Sequence, residues 1–478
     1  MGVLRTSSDR LKPVLHMPRA IFVGGTASHA GKSWMCTAIC RYLRKRGVCV
    51  APFKAQNMSN NSYPCASGGE IGRAQVVQAE ACGLEPETDM NPILLKPTSN
   101  AGSQVVVDGK VWKNLGAAGY YDHHAFLRQR ALEAYERLAA RFDYIVIEGA
   151  GSVAEVNLKQ RDLVNLAMAR AAGAPALLVA DIDRGGVFAS ILGTLCLLDP
   201  EERAQVRSFA VNRFRGDPRL FEDGVRFLEE RSSLPCLGVF PMAEEIAIQP
   251  EDGVSLDDTS SDPEARIAVV RLPRISNFTD FRHLRLTWIS SPVAREFDWI
   301  ILPGTKNTMG DLDWLRARGL DAWIQDQHRR GARVLGVCGG YQMLGESIDD
   351  PYAVESARPS SSAGLGLLPV RSRLEREKVT RVVQARAHGI DFGAYEIHMG
   401  QTVSAAPPFA TLEDGSNDGA VCGDILGTYL HGALEHRPLA RELFGEEALL
   451  PPAGEPYDQL ASWFAESANV RLFEELYL

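Results

Sequence analysis

Along most of the chain, apolar runs of four to six residues alternate with segments of helical periodicity, and this alternation constrains the fold more than any other feature. The runs are Ala20–Val23, Val48–Phe53, Tyr144–Ile147, Ala176–Ala180, Ser208–Val211, Ile267–Arg271, Trp299–Leu302 and Val334–Val337. Each is too short for a helix, and most are β-branched or aliphatic throughout. Runs of this kind imply parallel strands buried on both faces, with helices making the crossovers. The predicted fold class is α/β, built from doubly wound parallel sheets.

One composition break divides the pattern. Gln249–Glu264, QPEDGVSLDDTSSDPE, is acidic, rich in Ser and Asp, and lacks a periodic apolar face. It reads as a linker. A chain of 478 residues accommodates two or three domains. The expected organisation is a loosely ordered extension over 1–17, a domain over 18–250, a linker over 251–265 and a second domain over 266–478. A further loop is expected over Ser356–Ala363.

The totals exclude several classes. A net charge of −9 supplies no basic field to neutralise phosphates, so no nucleic-acid partner is expected. No run of eighteen apolar residues is present, so no membrane span is expected. Nine cysteines without paired spacing, and no signal-peptide apolar region, fit a reducing cytoplasm. Cys36 and Cys40 share one buried helix face rather than a metal. Self-association is left open.

The first strand leads into Ile21–Ser33, IFVGGTASHAGKS, followed by an apolar-periodic helix over Trp34–Leu43. A glycine loop between strand and helix cradles phosphates with its amides, while Lys32 reaches the outer phosphates and Ser33 ligates Mg²⁺. Gly25, Thr26 and Gly31 complete the loop, with Thr26 at the place of the usual first glycine. Other strand ends carry polar groups to the same crevice. Lys54 follows Val48–Phe53, Glu148 ends the strand YIVIE, and Asp181 ends another. Glu148 is the first candidate for Mg²⁺, with Glu70 and Asp181 as further candidates.

A second strand–turn–helix unit carries a thiol. In VLGVCGG, residues 334–340, Cys338 sits on a sharp glycine-flanked turn, and Tyr341, Leu344 and Ile348 recur at helical spacing beyond it. Gly336-x-Cys338-x-Gly340 has the form of a nucleophile elbow with cysteine in place of serine. A helix N-terminus favours thiolate, and the Gly339 amide is placed to stabilise an oxyanion. Two histidines compete as the base: His431, 93 residues downstream in LGTYLHG, and His398 in YEIHMG.

Several strings together resemble one family. GTASHAGKS with Lys54 and EGAG is similar to the dethiobiotin synthetase group of ATP-dependent carboxylate-activating enzymes. PFKAQNMSNNSY, EIGRAQVVQAEAC, VADIDRGGVFAS, VNRFRGD and RLPRISNFTDF resemble the cobyric acid synthase family, over residues from about 20 to 435. The resemblance implies an N-terminal dethiobiotin-synthetase-like P-loop domain and a C-terminal class I glutamine-amidotransferase-like domain. It implies Cys338 as nucleophile, His431 as base, and Gly304 in WIILPGT, with its flanking amides, as the second oxyanion donor beside Gly339. It also implies ATP and Mg²⁺ as cofactors and glutamine as nitrogen source. The implied acceptor is adenosylcobyrinic acid a,c-diamide, amidated at carboxylates b, d, e and g. Glutaminases of this class commonly carry His-x-Glu, but this chain reads His431-Gly432-Ala433, and the group that orients His431 is left unassigned. Two rivals remain: a cobyrinic acid a,c-diamide synthase or other glutamine-dependent ligase, and a ParA/MinD-like switch ATPase. The switch ATPases carry a signature lysine where this chain has Ala27.

Overall fold

The computed structural model describes residues 19–98, 102–243, 245–246, 248, 262, 264–356, 358–452 and 454–478. The expected 1–17 extension and most of the expected 251–265 linker lie outside the described residues.

Two six-stranded sheets organise the chain. In the first, the strand order is Cys236–Pro241, Val206–Phe214, Ala176–Asp181, Arg19–Gly25, Tyr144–Glu148, Val50–Phe53, parallel throughout. The central strand shows why its sequence is apolar without interruption. Ala20 and Phe22 point into one core while Ile21 and Val23 point into another, so both faces are buried. Helices His124–Ala139, Val187–Leu197 and Glu222–Ser232 cover the first face, and Lys32–Lys45 lies on the second. Cys36 and Cys40 are buried on Lys32–Lys45, as their spacing suggested.

The second sheet runs Leu286–Ile289, Ile267–Val270, Trp299–Leu302, Arg333–Val337, Ile425–Thr428, Ala420–Cys422, with only the last strand antiparallel. All eight predicted strands are present, one with the ends predicted and the others with ends shifted by no more than three residues. The doubly wound α/β prediction therefore holds for both halves.

Several expectations fail. The helix after Cys338 is short, Gly339–Leu344, and Ile348 lies on the strand Ser347–Asp350 rather than on a continued helix. The expected loop over Ser356–Ala363 ends in a strand, Ser360–Ala363, antiparallel to Ser347–Asp350. A long hairpin, Val370–Ala387 with Ile390–Ser404, was not foreseen. Its register slips between Leu374 and Val379, so the residues up to Lys378 bulge from the ladder beside the thiol site.

The division at 266–478 also departs from the packing. Pro456–Ser467 and Val470–Tyr477 lie on the first sheet, where Leu460, Phe464 and Phe473 share a core with Ile21, Val23 and Leu43. The 459–473 apolar spacing seeks a free sheet face, and helix Lys32–Lys45 leaves part of that face uncovered.

Candidate active site

Cys338 links the strand Arg333–Val337 to helix Gly339–Leu344 with φ 53° and ψ −110°, a backbone conformation that a side chain rarely adopts. The neighbouring glycines are required by space. A Cβ on Gly340 would lie 2.0 Å from the Leu302 carbonyl oxygen, and one on Gly336 would lie 2.7 Å from Gly340. The Cys338 amide donates to the Thr428 carbonyl at 2.8 Å, which ties the elbow to the strand that delivers His431.

Of the two candidate histidines, His431 keeps one ring nitrogen unengaged. Its Nδ1 meets Asp280 Oδ2 at 2.7 Å, and its buried Nε2 has no hydrogen-bond partner among the described residues. Burial disfavours the imidazolium, but the Asp280 carboxylate and the adjoining Cys338 outweigh it and raise His431 to about 10. His398 is otherwise engaged. Its Nδ1 lies 2.7 Å from the Gly400 carbonyl, its Nε2 lies 3.2 Å from Glu396, and its ring stacks on Tyr429. Asp280 is thus the carboxylate that contacts the His431 ring, in place of a His-x-Glu neighbour. It also accepts the Gly432 amide at 2.8 Å, so one carboxylate fixes both ring and backbone. The residue stands inside RLPRISNFTDF, a string noted only for its resemblance.

The second oxyanion donor was expected from Gly304 and its flanking amides. Gly304 backs the imidazole: a Cβ there would lie 2.9 Å from His431 Cε1, and its carbonyl accepts the Ser276 amide. Thr305 is the flanking residue that lines the thiol pocket, together with Gly339. Its amide nitrogen lies 3.2 Å from where a Gly339 Cβ would stand.

The thiol pocket is small, about 50 Å³, and both halves of the chain build it. Lys306, Gln342, Glu355 and Lys378 line it from the second half, and Asn60 and Lys96 line it from the first. Burial raises Glu355 to about 7 and lowers Lys306 to about 8. The halves are joined by reciprocal bonds: the Ser62 amide donates to Asn277 Oδ1 at 3.0 Å, and the Asn277 amide to Asn61 Oδ1 at 2.7 Å.

At the other site, Gly31 takes φ 96°, and a Cβ there would collide with Asn212 at 2.0 Å. Gly25 lies against the Lys32 side chain, and the Thr26 amide bonds to Val179. Lys32 Nζ donates to the carbonyls of Ala27 at 3.0 Å and Gly151 at 2.9 Å, which curls the loop around the ammonium. Glu148 is fully buried and gathers three groups. Ser33 Oγ donates to it at 2.8 Å, Lys54 Nζ at 2.7 Å, and Gln78 Nε2 bonds its second oxygen. Gln78 was missed by sequence reasoning.

The two further metal candidates are not part of this cluster. Glu70 is buried between Lys96, at 2.8 Å, and Lys378, and these ammoniums overcome burial to hold its carboxyl well below the usual range. It forms an ion-pair bridge between the halves, away from the Ser33–Glu148 contact. Asp181 ends its strand as expected, but its carboxylate pairs with Arg213 at 3.2 Å and Arg184 at 3.7 Å.

Residues 21–256 match the CobQ/CobB/MinD/ParA nucleotide binding domain, and residues 266–439 match the CobB/CobQ-like glutamine amidotransferase domain. A Parabacteroides distasonis protein named cobyric acid synthase is 45% identical over 95% of this chain and 98% of its own length. The chain belongs to the cobyric acid synthase family. Relatives of the same name from Sorangium cellulosum and Cereibacter sphaeroides are 44% and 46% identical over 95% and 86% of this chain, and 98% and 89% of their own. As a cobyric acid synthase family member, it is a glutamine-hydrolysing amide ligase of cobalamin biosynthesis that uses ATP. Identity along nearly the whole chain sets aside the switch ATPase.

The residues at the phosphate loop suit Mg²⁺. Ser33 Oγ and Glu148 Oε1 are adjacent hard oxygens, and the Lys54 ammonium already sits on that carboxylate as a cation. Among the described residues no group of three or more His, Cys, Asp or Glu could hold a metal, so a Mg²⁺ here would also need oxygens from phosphate or water. Also among the described residues, no helix is long and apolar enough to cross a membrane.

Proposed function

We propose that the protein amidates carboxylates b, d, e and g of adenosylcobyrinic acid a,c-diamide, drawing nitrogen from glutamine. The observation that carries this reading is the shared thiol pocket: Asn60 and Lys96 of the nucleotide-binding half line the cavity that holds Cys338. Ammonia released there emerges against the wall of the domain that consumes it.

In the glutaminase half, the Cys338 sulfur attacks the side-chain amide carbon of glutamine. Gly339 and Thr305 amides face the developing oxyanion. The His431 imidazolium, steadied by Asp280, gives its proton to the departing nitrogen, and ammonia leaves behind a glutamyl thioester. Water activated by His431 then releases glutamate and restores the thiolate. In the synthetase half, Lys32 and the loop amides hold the phosphates of ATP while a substrate carboxylate attacks the γ-phosphorus. Ammonia displaces phosphate from the resulting acyl phosphate. Ser33 and Glu148 would hold Mg²⁺, which neutralises phosphate charge when bound.

The nine free thiols fit a cytoplasmic setting. The test is to supply the purified protein with ATP, glutamine and the a,c-diamide and to follow product masses. Stepwise conversion to the hexaamide supports the reading. Turnover of cobyrinic acid to its a,c-diamide instead would favour the diamide synthase.

A further inference from the structure

A cavity of about 540 Å³ opens beside the phosphate loop and takes no part in the chemistry described so far. It lies between the sheet Ile93–Pro97, Gly102–Val107, Lys110–Gly116 and the segment that follows Glu148. Its volume falls within the range of roughly 300–1,000 Å³ typical of small-molecule sites.

Position comes first. Gly151 lines the cavity, and its carbonyl accepts Lys32 Nζ at 2.9 Å. Lys32 is the residue that reaches the outer phosphates in such a loop, so the cavity adjoins the transferable phosphoryl group. The Val153 amide, another wall residue, donates to Gly25 at 3.0 Å.

The lining comes second. Met58, Leu95, Leu115, Tyr120 and Leu158 form an apolar wall. Met58 is 56% exposed and Leu158 39% exposed, a placement that a bulky apolar ligand would cover. The charged groups are mostly neutralised internally. Lys159 pairs with Glu202 at 2.6 Å and Asp199 at 3.1 Å, and Asp162 accepts the amides of Val164 and Asn165. Arg161 is different. Its guanidinium lies 4.6 Å from the Tyr121 ring centre, and no ion pair with a carboxylate is found for it among the described residues. Glu155 is exposed at the rim, also without a cation partner there.

We propose that this cavity binds the carboxylate-bearing acceptor, with the apolar wall against an edge of the corrin ring and Arg161 receiving one of its carboxylates. The proposal rests on the reading of the acceptor as a corrinoid acid. The cavity is too small for the whole macrocycle, so one edge enters and the rest covers Met58 and Leu158 at the mouth. A ligand carrying both carboxylates and primary amides meets both unpaired groups: Arg161 donates to the acid and Glu155 accepts from the amide. The cation–π contact of Arg161 with Tyr121 restrains the guanidinium, which lowers the entropic cost of a bidentate contact.

Two variants test this: Arg161→Gln, which removes the charge from an exposed position, and Ser103→Trp, which fills the cavity from its sheet wall. Binding of adenosylcobyrinic acid a,c-diamide is measured by equilibrium dialysis and its visible absorbance, without ATP or glutamine. Melting temperature, glutaminase rate and the KM for ATP serve as controls. The expected result is a dissociation constant raised about ten- to a hundredfold in Arg161→Gln, with the controls unchanged. Diamide held by the wild type and equally tightly by Arg161→Gln overturns the cavity assignment, whether or not Ser103→Trp folds. A raised KM for ATP with unaltered diamide binding also overturns it, by making the cavity a nucleotide pocket. If the wild type cleaves glutamine but retains no diamide, the corrinoid reading falls and takes the proposal with it.

Discussion

Asp280 Oδ2 and His431 Nδ1 lie 2.7 Å apart across 151 residues of sequence, and both are buried beside Cys338. This contact supplies the third member of a Cys–His–Asp arrangement. Asp280→Asn keeps the shape and removes the charge that fixes the tautomer and supports the imidazolium. Glutamine-dependent turnover is expected to fall roughly a thousandfold or more. Amidation with added ammonium chloride should persist, and loss of both activities together would assign Asp280 to the fold instead.

The same pair has a pH signature. His431 rises from 6.5 in its ordinary state to about 10 in the folded protein, driven by Asp280 and Cys338 against burial. A raised basic group contributes stability that is complete below its unfolded pKa and is lost as pH rises through its folded pKa. The melting-temperature gap between wild type and Asp280→Asn is therefore expected to be widest near about pH 6 and to close toward about pH 10. Calorimetry across that window checks the sign.

Cys338→Ser is expected to abolish glutamine-dependent amidation and leave the ammonia-dependent reaction intact. The thiol serves only nitrogen release, and the phosphate loop lies on a different sheet. Equal loss with both nitrogen sources, in a variant with unchanged melting, would refute the separation of the two sites.

Glu148→Gln acts on both chemistry and stability. It leaves the buried Lys54 ammonium without its carboxylate, at a cost of roughly 3 kcal/mol or more. ATP-dependent amidation should fail with either nitrogen source, while Cys338 still reacts with a glutamine-analogue electrophile. A melting curve and a thioester-trapping assay separate the two effects. An unchanged Mg²⁺ titration of the residual activity would remove Glu148 from the metal site.

Local features were readable in the sequence, and long-range partners were not. The Cys338 turn and the Gly31-Lys32-Ser33 loop each carry their strand, glycine and helix signals within about a dozen residues, so spacing alone exposes them. Asp280 gives no local signal, because its role depends on a residue brought close only by the sheet. Ile348 shows how periodicity misleads over a short stretch: four residues of helical spacing from Leu344 to Ile348 cross a turn into a strand. The hairpin at 370–404 escaped because its outward residues are charged and its alternation is interrupted by the bulge before Val379. Glu70 is a further case: its sequence neighbours do not show its partner Lys378, 308 residues away.

The two helices beyond residue 455 bear on how the protein is made. Tyr477 lies beneath the first sheet: its hydroxyl contacts Ser208 Oγ at 2.7 Å and donates to the Ala176 carbonyl at 3.2 Å, and Tyr144 bonds its carbonyl at 2.8 Å. Residues 456–478 leave the ribosome after the whole glutaminase sheet, so the sheet synthesised first is the last to be closed. Until then the part of its core that Leu460, Phe464 and Phe473 cover stays open to water or to a chaperone. The strands of the nitrogen-releasing sheet are therefore all synthesised before the first sheet receives these two covering helices.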